Sequence, residues 1–170
     1  MSKVKIYGYH GTSGKGSQNI IKEEEFKISQ KKDEWLGDGV YFWDTFELGE
    51  WWAKLNFKDE YPHVIECELI CNKDEYLNLD IEMNKLEKFS QKYLEAMEKL
   101  SNSAPRFKNA HERKKFFCTA YAKKFGIKII SFTFKYPDIN TAGFAAKHIE
   151  RKQICVTNND NINILESKEV

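Results

Sequence analysis

Between Val4 and Tyr9 the chain alternates Val4, Ile6 and Gly8 with Lys5, Tyr7 and Tyr9, a period of two that predicts a first strand ending at His10. Gly11 to Ser17, rich in Gly and Ser, reads as a turn. Asn19 to Glu24 predicts a short helix with Ile20 and Ile21 inward, and Glu25 to Ser29 a brief strand bearing Phe26 and Ile28. Gln30 to Asp38 is a polar loop carrying Trp35, and Val40 to Trp43 is strand-like again. Thr45 to Phe57 places Phe46, Trp51 or Trp52 and Leu55 at helical spacing. His63 to Cys71 returns to period two, with Ile65, Cys67, Leu69 and Cys71 set against Val64, Glu66, Glu68 and Ile70.

After Leu79 the period lengthens. Leu86, Phe89, Tyr93, Met97 and Leu100 share one face of a predicted amphipathic helix over Ile81 to Leu100, and Ser101 to Pro105 breaks it. Lys108 to Phe125 predicts a second helix with Phe117, Ala120, Tyr121 and Phe125 inward, and Gly126 stands where a C-terminal cap belongs. Ile130, Phe132, Phe134 and Tyr136 alternate as a strand, Pro137-Asp138 turns the chain, and Gln153 to Thr157 is the last strand. The turn Asn158-Asn159-Asp160 follows, with Ile162 and Ile164 as closing hydrophobics. Strands interrupted by a helical pair predict an α+β architecture: one domain over 1–170 with a helical insertion at about 81–125.

Composition bounds this picture without naming a function. With 41% hydrophobic and 31% charged residues in 170, the chain suits one soluble domain with a core of its own. The 27 basic and 26 acidic side chains leave a net charge of +1, so attraction to a polyanion must come from local patches. Cys67, Cys71, Cys118 and Cys155 form no Cys-x-x-Cys pair and have no His at zinc spacing, so reduced buried thiols and no metal are expected. Met1 to Lys5 runs into a strand with no apolar leader, and no apolar run of membrane length follows; a cytoplasmic protein without a membrane partner is expected. Heavy Lys, Ile and Asn usage suits an AT-rich genome.

Two short segments carry the chemistry: His10-Gly11-Thr12 at the end of the first strand, and Gly37-Asp38-Gly39-Val40-Tyr41-Phe42-Trp43 further on. A strand-borne His can hydrogen-bond a ribose hydroxyl, and a Gly beside it lets backbone N–H and C=O approach a carboxamide. Tyr41 supplies a ring face. Together these are what a pocket for nicotinamide adenine dinucleotide (NAD+) needs when a glycosidic bond is to be broken.

On these residues the chain resembles the ADP-ribosyltransferases of the His-Tyr-Glu/Gln type, built like the catalytic domain of poly(ADP-ribose) polymerases and of small bacterial and phage enzymes. The likeness covers His10 to Ser13, Gly37 to Trp52 and Gln153 to Ile162. It implies the split-sheet ADP-ribosyltransferase fold, two packed antiparallel sheets with the dinucleotide in the cleft between them. It also implies a catalytic set of His10, Tyr41 and Gln153. The dinucleotide would be bound by His10, Gly11, Thr12, Ser29, Trp35, Gly39, Tyr41 and Trp52, with nicotinamide between the rings of Tyr41 and Trp52. Two positions depart from the pattern: Gly49 stands where a Ser usually helps bind the carboxamide, and Gln153 where the family carries its catalytic Glu.

Gln can orient a ribose hydroxyl but cannot act as a general base, so single transfer through an oxocarbenium-like transition state is expected in preference to chain elongation. Glu150 lies at an odd offset from Gln153 and points to the other face of the strand, whereas Arg151 shares Gln153's side. The basic run Arg106, Lys108, Arg113, Lys114, Lys115, Lys123, Lys124 and Lys128 is either a solvated helix face or a footprint for a polyanionic acceptor. Arg151, Lys152, Lys114 and Lys115 are the expected acceptor contacts.

The resemblance therefore implies a mono-ADP-ribosyltransferase acting on a macromolecule, with RNA or DNA favoured over protein. A bacterial or phage toxin, effector or defence enzyme is expected, with a cognate antitoxin or immunity protein as a candidate partner. Two alternatives stay open. An NAD-dependent RNA 2'-phosphotransferase would want several arginines, and only Arg106, Arg113 and Arg151 exist; a non-catalytic module binding NAD+ or ADP-ribose would explain the missing Glu.

Overall fold

The structure is a computed structural model and describes residues 2–101, 104–137 and 148–170. It is α+β: four helices and one mixed seven-stranded sheet among the described residues. The elements run β1 (Lys3–Ser13), α1 (Gly14–Glu23), β2 (Val40–Trp43), α2 (Phe46–Phe57), β3 (Pro62–Asn72), β4 (Tyr76–Asn78), α3 (Leu79–Ser101), α4 (Ala110–Phe125), β5 (Ile129–Pro137), β6 (His148–Val156) and β7 (Ile162–Glu169). The strand order is β4-β5-β6-β2-β1-β3-β7, antiparallel throughout except for the parallel pair β4/β5.

The helices begin where their caps say they should. Ser13 accepts from Gly16 N at 3.1 Å, Thr45 from Leu48 N at 3.3 Å and Asn109 from Glu112 N at 2.9 Å, each satisfying an orphan donor of the first turn. Gly126 closes α4 at φ 68°, the left-handed conformation that glycine adopts without strain.

Strand alternation sends side chains to two cores, one on each face of the sheet. Phe42, Ile154, Val156 and Ile129 join Phe26, Ile65, Cys67 and Leu69 in one. Cys155, Ile130 and Phe134 join Leu36, Leu86, Phe117 and Tyr121 in the other, which α3 and α4 cover. The helical pair is thus the lid on one face of the sheet. Each fully buried Phe or Leu here contributes roughly 1.5–3 kcal/mol by leaving water. No helix among the described residues is long and apolar enough to cross a membrane.

Several expectations shift by a few residues. β1 runs past His10 to Ser13 because β3 continues its ladder, pairing Gly11 with Val64, Thr12 with His63 and Ser13 with Pro62, so the expected Gly-rich turn is strand and then helix. Glu25 to Ser29 forms only the bridge Ser29 to Gly39, and Phe26 is held instead by the Asn159 side chain, which accepts from its N–H at 2.8 Å and donates to its C=O at 2.9 Å. β6 begins at His148, not Gln153, and both β4 and the edge strand β7 exist where the pattern gave none. The turn at Pro137-Asp138 and the break at Ser101 to Pro105 fall partly outside the described residues.

Where two separate antiparallel sheets were expected, the seven strands form one hydrogen-bonded sheet, yet β1 and β2 share a single residue pair, Tyr9 opposite Trp43. The neighbouring ladders β1/β3 and β5/β6 are long by comparison, running the full length of β1 and of β5.

Candidate functional site

Beyond the Tyr9–Trp43 pair the ladder between β1 and β2 stops, and a cavity of about 760 Å³ lies at this join. Its size falls within the range of sites that hold cofactor-sized ligands, about 300–1,000 Å³. β1 contributes His10, Gly11 and Thr12; the segment before β2 contributes Ser29, Glu34 and Gly39; Tyr41 and Trp43 come from β2, Trp52 from α2 and Gln153 from β6. Residues far apart in the chain are therefore brought to one cavity. Trp35 is not among them.

His10 bridges the gap that the backbone leaves. Its Nδ1 lies 2.8 Å from the Tyr41 carbonyl oxygen, which can only accept, so Nδ1 carries the proton and Nε2 is left as an acceptor. The ring meets Phe26 and Phe42 edge-on at 5.1 and 5.7 Å, which fixes its plane. Burial holds its pKa below the ordinary imidazole range, with the Tyr41 carbonyl pulling the other way. A neutral imidazole offering a lone pair is the form that accepts from a hydroxyl.

Tyr41 is fastened at its hydroxyl, which donates to Gly37 O at 2.7 Å and accepts from Leu36 N at 3.0 Å. Burial pushes the phenol far above its usual range, so Tyr41 supplies a ring and not a proton. Trp52 is 38% exposed, and its ring stands 5.8 Å from Trp43 and 6.0 Å from Trp51. Tyr41 and Trp52 both border the cavity, as a sandwiched ring would require.

Gln153 is paired with Trp43 across β2/β6 and with Phe132 across β5/β6, and its side chain makes no hydrogen bond to another described residue. Arg151, on the same side of β6, lies over Trp51 with its guanidinium carbon 3.9 Å from the ring centre and 5.1 Å from that of Tyr136. Lys152 turns to the opposite face, 3.2 Å from Asp80, which also accepts from Thr133 N and Oγ1, each at 2.8 Å. Glu150 reaches Lys135 at 3.7 Å.

The remaining expected contacts have partners inside the fold. Lys114 is packed 4.1 Å over the Phe132 ring, where burial lowers its pKa, and Lys115 pairs with Asp38 at 3.3 Å and donates to Lys31 O. Trp35 faces α4, stacked on His111 at 3.8 Å, and borders a second cavity of about 740 Å³ with Lys115 and Phe116. The loop carrying Trp35 lies between the two cavities, with Trp35 on one, Glu34 on the other and Asp33 bordering both.

Both unusual glycines are explained by a close helix–strand approach. A Cβ on Gly11 would stand 2.8 Å from Gly49 O, and one on Gly49 would stand 3.0 Å from Tyr9 Cβ and 3.1 Å from Val64 Cγ1. A Ser at position 49 would need Tyr9 and Val64 to give way by a few tenths of an ångström. Gly39 is tighter still, since its Cβ would meet Cys155 Sγ and Val156 O, both at 2.5 Å.

One wall residue went unnoticed in the sequence. Glu34, half-buried, accepts from Lys31 N at 3.1 Å, and burial raises its carboxyl above the usual range against the opposing pull of Ser29 and Lys115. A single carboxylate in a polar loop has no periodicity to betray it.

Fold and cavity together define an α+β protein with a ligand-sized, aromatic-walled pocket at a break in its sheet. No family model matches the chain. A stretch of 84 residues is 33% identical to part of an uncharacterized protein of the archaeon Methanocaldococcus jannaschii, covering 46% of this chain and 39% of that relative. The similarity thus spans less than half of either protein.

Proposed function

We propose that the chain is a mono-ADP-ribosyltransferase that takes ADP-ribose from NAD+, without a metal, and transfers it to a macromolecule. What carries the reading is the convergence of His10, Tyr41, Trp52 and Gln153, from four separate elements, on one cavity of about 760 Å³. The single-pair join between β1 and β2 supports the split-sheet ADP-ribosyltransferase architecture, because a sheet that parts there leaves a dinucleotide cleft.

Each side chain then has a task its environment suits. Nε2 of neutral His10 accepts a ribose hydroxyl, and the Tyr41 and Trp52 rings flank the nicotinamide. The Gln153 amide, free of other described partners, accepts the hydroxyl of the nicotinamide ribose as the oxocarbenium-like state forms. Positioning and charge placement of this kind supply most of the acceleration when the leaving group is already cationic.

A nucleic-acid acceptor remains the preferred one. Arg151 beside Gln153 is set on aromatic rings in the manner of a base- and phosphate-binding guanidinium, while Lys114 and Lys115 are engaged internally and contribute less than their charge suggests. A binding module without turnover is the second reading, favoured by Gln153 in place of a carboxylate.

NAD+ labelled in its adenylate phosphate, incubated with the purified protein and a cell lysate, separates these readings. Label is expected in a macromolecular fraction, released by nuclease and resistant to protease, with stoichiometric nicotinamide. Label removed by protease alone moves the acceptor to protein. NAD+ binding without label transfer or nicotinamide release would leave only the module.

A further inference from the structure

We propose that Glu34, on the loop over the cavity, is the general base that deprotonates the acceptor, in the place of the carboxylate absent at Gln153. The inference rests on the transferase reading above. Gln153 cannot take a proton, Tyr41 is locked by two hydrogen bonds at its hydroxyl, and the free lone pair of His10, at Nε2, is taken by the ribose hydroxyl while burial disfavours its protonation. Two carboxylates line the cavity, Asp33 and Glu34. Asp33 is exposed, whereas Glu34 is half-buried and held by Lys31 N.

The loop that carries Glu34 is tied down on both sides. At its base Ser29 N donates to Gly39 O at 2.9 Å and Gly39 N donates to Ser29 O at 3.1 Å. From α4, Lys115 holds Asp38 at 3.3 Å and reaches Lys31 O. A carboxylate on such a loop is positioned before substrate arrives, which is what proton abstraction in a transition state requires.

The groups around Glu34 set its proton affinity. Lys115 from α4 and the Ser29 hydroxyl favour the charged form, as does the Lys31 N–H; neighbouring Asp33 and burial disfavour it. Tyr41 from β2 and Cys155 from β6 also face it, and burial keeps both of those neutral. Burial is the largest influence, so the carboxyl titrates nearer to working pH than an exposed Glu, and a base is most effective there.

In the step itself the bond from the ribose anomeric carbon to the nicotinamide nitrogen breaks, and its electron pair leaves with neutral nicotinamide. The acceptor oxygen or nitrogen forms the new bond to that carbon. Its proton passes to the Glu34 carboxylate and then to solvent. NAD+ and acceptor-H thus give ADP-ribosyl acceptor, nicotinamide and one proton.

Glu34→Gln tests this, because the amide oxygen still accepts from Lys31 N while basicity is gone. Calorimetric NAD+ affinity is expected to stay near the wild-type value. Transfer to the lysate acceptor should fall about 10²- to 10⁴-fold, the range that a positioned base contributes. The wild-type rate should decline as pH falls through the Glu34 titration, and the residual rate of Glu34→Gln should lack that limb. Glu150→Gln, whose carboxylate meets Lys135 on the other face of β6, should transfer normally.

Full transfer by Glu34→Gln with the acid limb intact overturns the proposal while leaving the transferase reading standing. Lost NAD+ affinity in Glu34→Gln also overturns it, making Glu34 a binding residue. A wild-type protein that binds NAD+ but transfers nothing removes the transferase reading, and the base with it.

Discussion

Replacing Gln153 with Ala is expected to cut ADP-ribose transfer by about two to three orders of magnitude while NAD+ affinity changes little. The side chain makes no hydrogen bond to another described residue, so its removal breaks none. Its backbone stays in place between Trp43 and Phe132 whatever side chain it bears. In the proposed reaction the ribose hydroxyl bonded to Gln153 would become more acidic as positive charge develops on the sugar, so this hydrogen bond would strengthen on the way to the transition state. An interaction of that kind is read in kcat and not in Kd. Single-turnover rates set beside calorimetric titration separate the two, and undiminished transfer in a folded Gln153→Ala protein would exclude this role.

The largest expected effect on stability is at Gly39. A Cβ there would stand 2.5 Å from both Val156 O and Cys155 Sγ, and the first of these is backbone in the middle of the sheet. Relief requires β2 and β6 to part, at the position where Gly39 also exchanges two hydrogen bonds with Ser29. Overpacking costs about 1–3 kcal/mol where side chains can yield, and more where backbone must move. Gly39→Ala is therefore expected to lose about 3 kcal/mol or more, a large share of the roughly 5–15 kcal/mol that holds a domain together. The melting temperature should fall by roughly 6–12 °C, at about 2–4 °C per kcal/mol for a domain of this size. Gly126→Ala is the companion measurement: φ is 68° there but nothing lies within 4 Å of the added Cβ, so only the left-handed strain of about 1–2 kcal/mol applies. A Gly126→Ala protein less stable than Gly39→Ala would contradict the packing of β2 against β6.

Periodicity made the long elements legible. The alternation of Ile65, Cys67 and Leu69 in β3 and the burial of Phe117 and Tyr121 on α4 come from packing against a continuous core, which leaves a regular trace, whereas Phe125, expected on the same inward face, is exposed at the end of the helix. β4 is too short to carry a period, and β7 is an edge strand whose outer half, Glu166 to Glu169, is polar because only β3 pairs with it. The Gly- and Ser-rich segment after His10 misled for a related reason: a ladder supplied by β3 overrides local turn preference.

The site was legible in part. His10, Tyr41, Gln153 and Trp52 could be picked out because each lies within a recognisable strand or helix, and the cavity gathers them. Trp35 and Glu34 lie in a loop without period, and which of them faces the cavity depends on how Lys115, Ser29 and Gly39 anchor that loop. Charge was misleading as well. Lys114 and Lys115 count as cations in the sequence, but one is packed on Phe132 and the other is paired with Asp38, contacts that only the folded chain creates.

Calorimetric titration of NAD+ into the wild-type protein and His10→Ala, with folding of both verified by circular dichroism, is the most direct test of the site. His10 joins β2 through Tyr41 O at 2.8 Å and leaves Nε2 for the proposed ribose contact, so removing its ring is expected to delete that contact and loosen the ring wall at once. Binding of one NAD+ per chain is expected for the wild type. His10→Ala should bind about 10- to 100-fold more weakly, the equivalent of about 1.4–2.8 kcal/mol. Unchanged affinity in a folded His10→Ala protein, or no NAD+ binding by the wild type, would contradict the assignment of the β1–β2 cavity to the dinucleotide.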